Sequence, residues 1–416
     1  MISVQSFIPR LLAPAVQTAL EDTPVVCLLG PRQSGKTTLV KKLAAERSFI
    51  SFERREYYIA ATEDPDGFVA SLPDTVTLDE VQRVPELLHA IKLSVDEDRR
   101  PGRFLLTGSA DLLLLPTVTE SLAGRMEIVW LYPLTEAEKN RGPGHFLKDL
   151  LEDNFKPGIE AARRQSSGLS LEERIIGGGY PEPLTRTPGH ARQWYRQYLS
   201  SVIERDARDV LNLRDTEQLL RLLELVSLRG GELLSVSNLA NNLAVHRESV
   251  ENWLAVLERL FLLRRLPAWH SNTSKRLIKS PKVHLLDSGL ASMLMNLGVS
   301  DWLSDRGRMG HLLETFVLQQ LVAQATWTNP DLRFWHYRDK DKVEVDIVIT
   351  LGRKTWGIEI KASSGITPRD GRGLRRLADR CGSDFVRGIL FYAGRDIFNF
   401  KDGRILAMPL EELWKR

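Results

Sequence analysis

The sequence predicts an α/β protein in three parts: a parallel-sheet domain, a helical middle region, and a second α/β domain toward the C-terminus. Three observations predict this. The glycine-rich segment GPRQSGKT, residues 30–37, sits between an apolar run and a helical stretch. Apolar strand signals alternate with helical ones up to Leu131. Late in the chain, VEVDIVIT and WGIEIK alternate apolar residues with charged ones, the period-2 signature of strands.

The first part is the most specific. GPRQSGKT fits the phosphate-loop pattern G-x-x-x-x-G-K-[ST] at every fixed position. Val25–Leu29 reads as a buried strand, and residues 38–45 continue as a helix. A loop between strand and helix turns its backbone N–H groups and the helix's positive end toward phosphates. Gly30, Pro31, Arg32, Gln33, Ser34, Gly35, Lys36, Thr37 and Thr38 would then cradle a nucleoside triphosphate such as ATP. Lys36 reaches the β- and γ-phosphates, and the Thr37 hydroxyl ligates Mg²⁺. In VTLDE, residues 76–80, an apolar strand ends in two carboxylates. Asp79 suits the Mg²⁺ shell, and Glu80 suits polarising the attacking water. The alternative is a glycine-rich turn followed by an ordinary acidic strand end; it needs two motifs to agree in order and context by chance.

Two further features belong to this part. An apolar strand at residues 103–106 leads into Thr107 and Ser109, which can sense the γ-phosphate or position water; Ser109 or Asp111 can equally be a helix N-cap. In SLAGR, Arg125 is either an arginine finger acting in trans, worth roughly 10³–10⁵ in rate, or a surface arginine.

The length of 416 residues divides into two or three domains. The boundaries read as 1–140 for the phosphate-loop domain, 141–190 for a linker or insertion, 191–290 for a helical region, and 291–416 for the last domain. Hydrophobic content of 43% and charged content of 27% are those of an ordinary globular protein. Cys27 and Cys381 are the two cysteines, so no disulfide framework is expected and a cytoplasmic location follows. The first residues lack a secretory layout, and no apolar run reaches the roughly 20 residues that span a bilayer. A net charge of +3 permits nucleic-acid contact without requiring it. The chain can be a monomer or a homo-oligomer.

In the middle region, GGGYPEP reads as a turn, and residues 191–210 as a helix with Trp194, Tyr198 and Val202 on a core-facing side. Residues 235–258 have helix–turn–helix spacing, and residues 260–266 read as a strand opening a wing. His246, Arg247 and Asn252 would face a DNA groove, but Glu248, Glu251 and Glu258 on the same helix oppose phosphate. A packing role is the alternative. Lys275, Arg276 and Lys279 form a basic cluster, a phosphate contact or a solvated loop.

Near the C-terminus, alternation places Val343, Val345, Ile347 and Ile349 on one face, with Glu344 and Asp346 on the other. Trp356, Ile358 and Ile360 share a face opposite Glu359 and Lys361. Paired as a hairpin, the strands bring Asp346, Glu359 and Lys361 together. Upstream, Glu314 lies on the apolar face of a predicted helix, which is costly unless it is partnered or binds a metal. Glu, Asp and Glu-x-Lys in this order match the PD-(D/E)xK nuclease pattern. Asp346 and Glu359 would hold Mg²⁺ or Mn²⁺, Glu314 and the Ile360 carbonyl would complete the shell, and Lys361 would activate water or stabilise the scissile phosphate. The alternative is a half-exposed hairpin with cross-strand ion pairs.

Over nearly its whole length the chain resembles bacterial and archaeal AAA-type P-loop ATPases that carry a C-terminal nuclease-like domain. GPRQSGKT, LDEVQ, LLTGSA, SLAGR, GGGYPEP, KRLIKSPKVHLLDSGL, GHLLETFVLQQL, EVDIVI and IEIKAS carry the resemblance. It implies a RecA-like AAA core, a winged-helix region, and a restriction-endonuclease-like α/β domain. It also implies an ATPase whose nucleotide state drives or gates a nucleic-acid-directed module; the alternative is a switch whose C-terminal domain is a binding platform for protein or DNA. One departure is SFERREYYIAA, residues 51–61, where the family carries an acidic strand end and this chain has Glu53 flanked by two arginines.

Overall fold

Five short strands, β1 (Val25–Leu29), β2 (Ser48–Ser51), β3 (Val76–Asp79), β4 (Phe104–Gly108) and β5 (Met126–Trp130), build the N-terminal sheet of this computed structural model. The structure describes residues 7–43, 46–109, 122–155, 168–207, 216–270, 280–304, 306–400 and 403–416. Asp111, Lys275, Arg276 and Lys279, singled out above, lie outside the described residues.

All five strands are parallel, in the order β2-β3-β4-β1-β5. β1, β3 and β4 are buried at every position, which is why they read as continuous apolar runs rather than alternating ones. Leu87, Leu88 and Ile91 of the helix Leu87–Glu97 cover one face. Leu39 and Val40 of the helix Lys36–Leu43, with Leu12 and Val16, cover the other. Because all the strands are parallel, the strand ends that carry chemistry open on the same rim of the sheet, and β4 between β1 and β3 puts theirs side by side.

The middle region contains the helix Val236–Leu243, a left-handed residue at Ala244 (φ 53°), and the helix Arg247–Arg259. Strand β6 (Leu263–Leu266) follows and pairs antiparallel with β7 (Lys282–Leu285). A helix–turn–helix with a two-stranded ribbon results. His246, Arg247, Glu248 and Asn252 are exposed, whereas Glu258 and Glu251 are engaged by Arg265 of β6, at 2.5 and 3.4 Å. Two of the three acidic residues that oppose phosphate therefore have a structural partner. Trp194 stacks on Tyr198 (5.1 Å, 9°) within a buried cluster with Tyr180 and Tyr195, a core as the spacing implied.

Residues 141–190 differ from the expected exposed insertion. Phe146, Leu147 and Leu150 of the helix Phe146–Leu151 are fully buried, Phe146 lies 5.3 Å from Phe391, and Trp356 Nε1 donates to Leu150 O (3.1 Å). The polar composition around this helix hides a segment that closes the C-terminal core. Gly-rich flanks signal turns, not exposure of what lies between them.

The C-terminal sheet contains β8 (Arg333–Arg338), β9 (Glu344–Leu351), β10 (Lys354–Lys361), β11 (Phe385–Tyr392), β12 (Phe398–Asn399) and β13 (Ile405–Pro409), in the order β12-β13-β11-β10-β9-β8. The helix Arg306–Thr328 packs on one face with Ile347, Ile349, Trp356 and Ile358. The helix Arg372–Cys381 packs on the other with Val345, Val348 and Leu390. β9 and β10 form the expected hairpin, turning at Gly352 (φ 57°). The expected face assignment holds only in part. Between Trp335↔Val348 and Tyr337↔Val345, β9 carries one residue more than β8, and this bulge moves Val345 to the face opposite Ile347 and Ile349.

Candidate functional sites

The first site forms where β1 and β3 end. After β1 the chain enters a loop whose geometry local residues dictate: Gln33 (φ 58°) and Gly35 (φ 98°) are left-handed, and a Cβ at Gly30 would lie 2.1 Å from Leu131 O. The Lys36 ammonium donates to Gly30 O (3.0 Å) and Pro31 O (2.9 Å), curled over its own loop. Ser34 Oγ is buried with no hydrogen-bond partner. Arg32, Gln33, Thr37 and Thr38 keep some exposure at the loop mouth and the start of the helix.

Asp79 is the centre of this site. Its Oδ1 accepts from Thr37 Oγ1 (3.0 Å) and Thr107 Oγ1 (2.5 Å), and its Oδ2 accepts from Ser51 Oγ (3.2 Å). Three hydroxyls from β2, β4 and the P-loop helix thus fix one carboxylate, which only the strand order makes possible. Glu80 is left-handed (φ 62°), a conformation that costs a non-glycine residue about 1–2 kcal/mol. Its N–H donates to Thr107 Oγ1 (3.3 Å), and its Oε2 accepts from Gln82 Nε2 (2.5 Å). The strained backbone takes Glu80 off the strand direction that Asp79 follows. Ser109 is buried directly after β4.

Thr37 and Asp79 fit a divalent cation, being hard oxygen donors already side by side. The loop fits the phosphates, with a buried ammonium and the N-terminus of an eight-residue helix. Arg125 is not brought there. Its carbonyl accepts from Val25 N (3.3 Å), at the end of β1 opposite the loop, and its guanidinium pairs with Asp96 (2.5 Å). A five-residue strand places it roughly 13 Å away from its own chain's P-loop.

A buried arginine absent from the sequence reading ties this site to the rest of the molecule. Arg10 donates to Ser34 O of the loop (2.8 Å), to Tyr132 O (2.6 Å) and to Glu138 Oε1 (2.8 Å). Glu136, on the same short helix as Glu138, has its N–H on Gln320 Oε1 (2.6 Å) of the helix Arg306–Thr328. Tyr132 OH in turn accepts from Arg264 of β6 (2.6 Å).

The second site lies where β9 and β10 part. Ladder pairing stops at Ile347↔Ile358; beyond it, Asp346 Oδ2 accepts the Ile360 N–H (2.9 Å) in place of a strand partner. Glu359 Oε1 accepts from Lys361 Nζ (2.7 Å). Glu314 reaches the cluster from the long helix, so all four residues picked from sequence converge here.

Lys282 of β7 is the unexpected member. Its side chain is only 4% exposed, and its ammonium lies 3.1 Å from Glu314 Oε2, 3.5 Å from Asp346 Oδ1 and 3.9 Å from Glu344 Oε2. Burial alone would lower its pKa, but Asp346 and Glu314 outweigh burial and raise it. Burial pushes the Glu314 and Glu359 carboxyls up, and the Asp346 charge adds to this, while Lys282 and Lys361 pull them back. The expected Mg²⁺ or Mn²⁺ ligation by Asp346 and Glu359 does not fit this arrangement. Asp346 and Glu359 each already face an ammonium, and a divalent ion among these carboxylates would compete with the like charge of Lys282 for the same oxygens. No group of three or more potential metal ligands occurs among the described residues.

Comparison with known proteins agrees with the N-terminal geometry. Residues 22–139 match an AAA domain family, while residues 168–301 and 309–413 each match a domain of unknown function. The uncharacterized proteins Mb2031c of Mycobacterium bovis and Rv2008c of Mycobacterium tuberculosis are each 30% identical over 406 residues, covering 96% of this chain and 83% of theirs. Among solved structures, the Walker-type ATPase PABY2304 of Pyrococcus abyssi aligns over 68% of this chain and 94% of its own, at 17% identity and a TM-score of 0.39. AMPPCP-bound DnaA of Aquifex aeolicus aligns over 61% and 89%, at 17% identity and 0.26. At these scores neither alignment bears on function. The N-terminal domain is an AAA-type P-loop domain with an ATP-binding loop, and no described helix is long and apolar enough to cross a membrane.

Proposed function

The chain belongs to the family of the uncharacterized mycobacterial proteins Rv2008c and Mb2031c, and on that premise we propose that it is a Mg²⁺-dependent ATPase acting as a nucleotide-dependent switch on its own C-terminal domain. The observation that carries hydrolysis is Asp79, held by Thr37, Thr107 and Ser51, beside a Glu80 turned out of the strand. Thr37 and Asp79 would hold Mg²⁺, which would supply neutralisation of the phosphate charge. Lys36 leaves its loop carbonyls for the γ-phosphate. Glu80, oriented by Gln82, accepts the proton of the attacking water, and Thr107, already bonded to the Asp79 side chain and the Glu80 backbone, holds the two carboxylates in register. Arg10 is the route outward, since any movement of the Ser34 carbonyl is felt at Tyr132 and Glu138.

Glu80→Gln keeps the shape and removes the base. It is expected to leave ATP binding within about threefold while lowering turnover by roughly 10²–10⁴-fold, the usual contribution of a general base. Turnover in Glu80→Gln equal to wild type would remove Glu80 from this role.

A second reading, a nucleic-acid-directed nuclease gated by the switch, is favoured by the convergence of Glu314, Asp346, Glu359 and Lys361; exposed His246, Arg247 and Asn252 leave one helix face open to a DNA or protein partner. Plasmid cleavage in Mn²⁺ and ATP that is lost in Asp346→Ala and in Lys361→Ala would establish it. Equal cleavage by all three proteins, or none by any, would remove it.

A further inference from the structure

We propose that Lys282 is an internal counter-ion that occupies the cation position of the C-terminal carboxylate cluster, and that the cluster admits a divalent cation only when β7 withdraws this ammonium. The inference rests on the C-terminal site of the second reading and is independent of ATP turnover. Its basis is geometric. Lys282 Nζ lies within 4 Å of three carboxylates, Glu314, Asp346 and Glu344, which arrive from a helix and from the end of a strand. A hard divalent cation needs several oxygens converging on one point, and here that point is filled by an ammonium. Glu359 Oε2, beside the Oε1 that accepts from Lys361, is buried with no hydrogen-bond partner, an acceptor left over in the site.

The position of Lys282 in the fold makes withdrawal possible. It is not part of the sheet that carries Asp346 and Glu359; it belongs to the ribbon of β6 and β7. That ribbon is connected to the nucleotide site by three consecutive contacts. Arg264 of β6 holds Tyr132 OH, Arg10 holds Tyr132 O, and Arg10 also holds Ser34 O in the P-loop. Arg264 is the register partner of His284, two residues from Lys282 on β7. A shift of the loop on nucleotide binding therefore has a short path to the strand that carries the ammonium.

The test is metal uptake, read by calorimetric titration of MnCl₂ into the nucleotide-free full chain. Wild type and Asp346→Asn are expected to be indistinguishable, because the cluster is closed to Mn²⁺. Lys282→Ala is expected to gain one additional Mn²⁺ site, at least about tenfold tighter than any in wild type, since removing the ammonium removes the like charge at the cation position. Lys282→Ala/Asp346→Asn should lose that site again. An Asp346-dependent Mn²⁺ site in wild type would overturn the proposal, as would a folded Lys282→Ala protein with no gain. If Lys282→Ala does not fold, the comparison of wild type with Asp346→Asn decides alone: a difference overturns the latch and identity sustains it. Failure of plasmid cleavage in every variant would sink the nuclease reading and leave the latch standing, since metal uptake is measured without catalysis.

Discussion

Lys282→Met is expected to destabilise the C-terminal half by about 3–5 kcal/mol, the cost of removing one partner from a buried ion pair. The magnitude follows from what remains. Methionine fills similar volume, so packing changes little, but Glu314 and Asp346 lose their shared counter-ion with side chains only 15% and 11% exposed. Burial already pushes Glu314 toward its neutral form, and Lys282 is the main neighbour that opposes this. For a cooperative unit of this size the melting temperature should fall by roughly 10 °C. Adding Asp346→Asn should recover part of the loss, because it removes the charge left stranded; a double mutant that merely sums the single effects would show that the contact is not energetically coupled.

Lys36→Ala is expected to abolish ATP turnover. Its ammonium is buried at the start of the P-loop helix and donates to Gly30 O and Pro31 O, neutral acceptors that a phosphate can replace. Removing a preorganised donor aimed at developing charge costs about 10²–10³-fold, and here the lost donor is a full charge. The fold should survive, since the Lys36 bonds to Gly30 O and Pro31 O lie within its own loop and tie no distant elements together.

The P-loop and VTLDE were legible because their chemistry is local: a strand, a turn and a helix in consecutive residues fix the geometry without help from the rest of the chain. The β9–β10 hairpin was legible for the same reason, with alternation on both sides of a glycine turn. What escaped depends on strand order or on distant contacts. Ser51 touches Asp79 only because β2 pairs with β3, and Thr107 does so only because β4 enters between β3 and β1. The acidic strand end missing from residues 51–61 is thus answered by a serine hydroxyl, while Glu53 is exposed. Arg10 reads as one basic residue in an apolar N-terminal stretch, and nothing local marks its reach across 128 residues to Glu138. The bulge in β9 left no signal in the alternation, so Val345 was placed on the wrong face. Lys282 did carry a weak sign: a charged residue opening the apolar strand KVHL, which needs a buried partner from elsewhere.

Hydrolysis of ATP at the P-loop is read by phosphate release from Mg²⁺-ATP, measured for the full wild-type chain beside Lys36→Ala. Steady turnover is expected in wild type, with a loss of at least about 10²-fold in Lys36→Ala. Equal rates in the two proteins would contradict it.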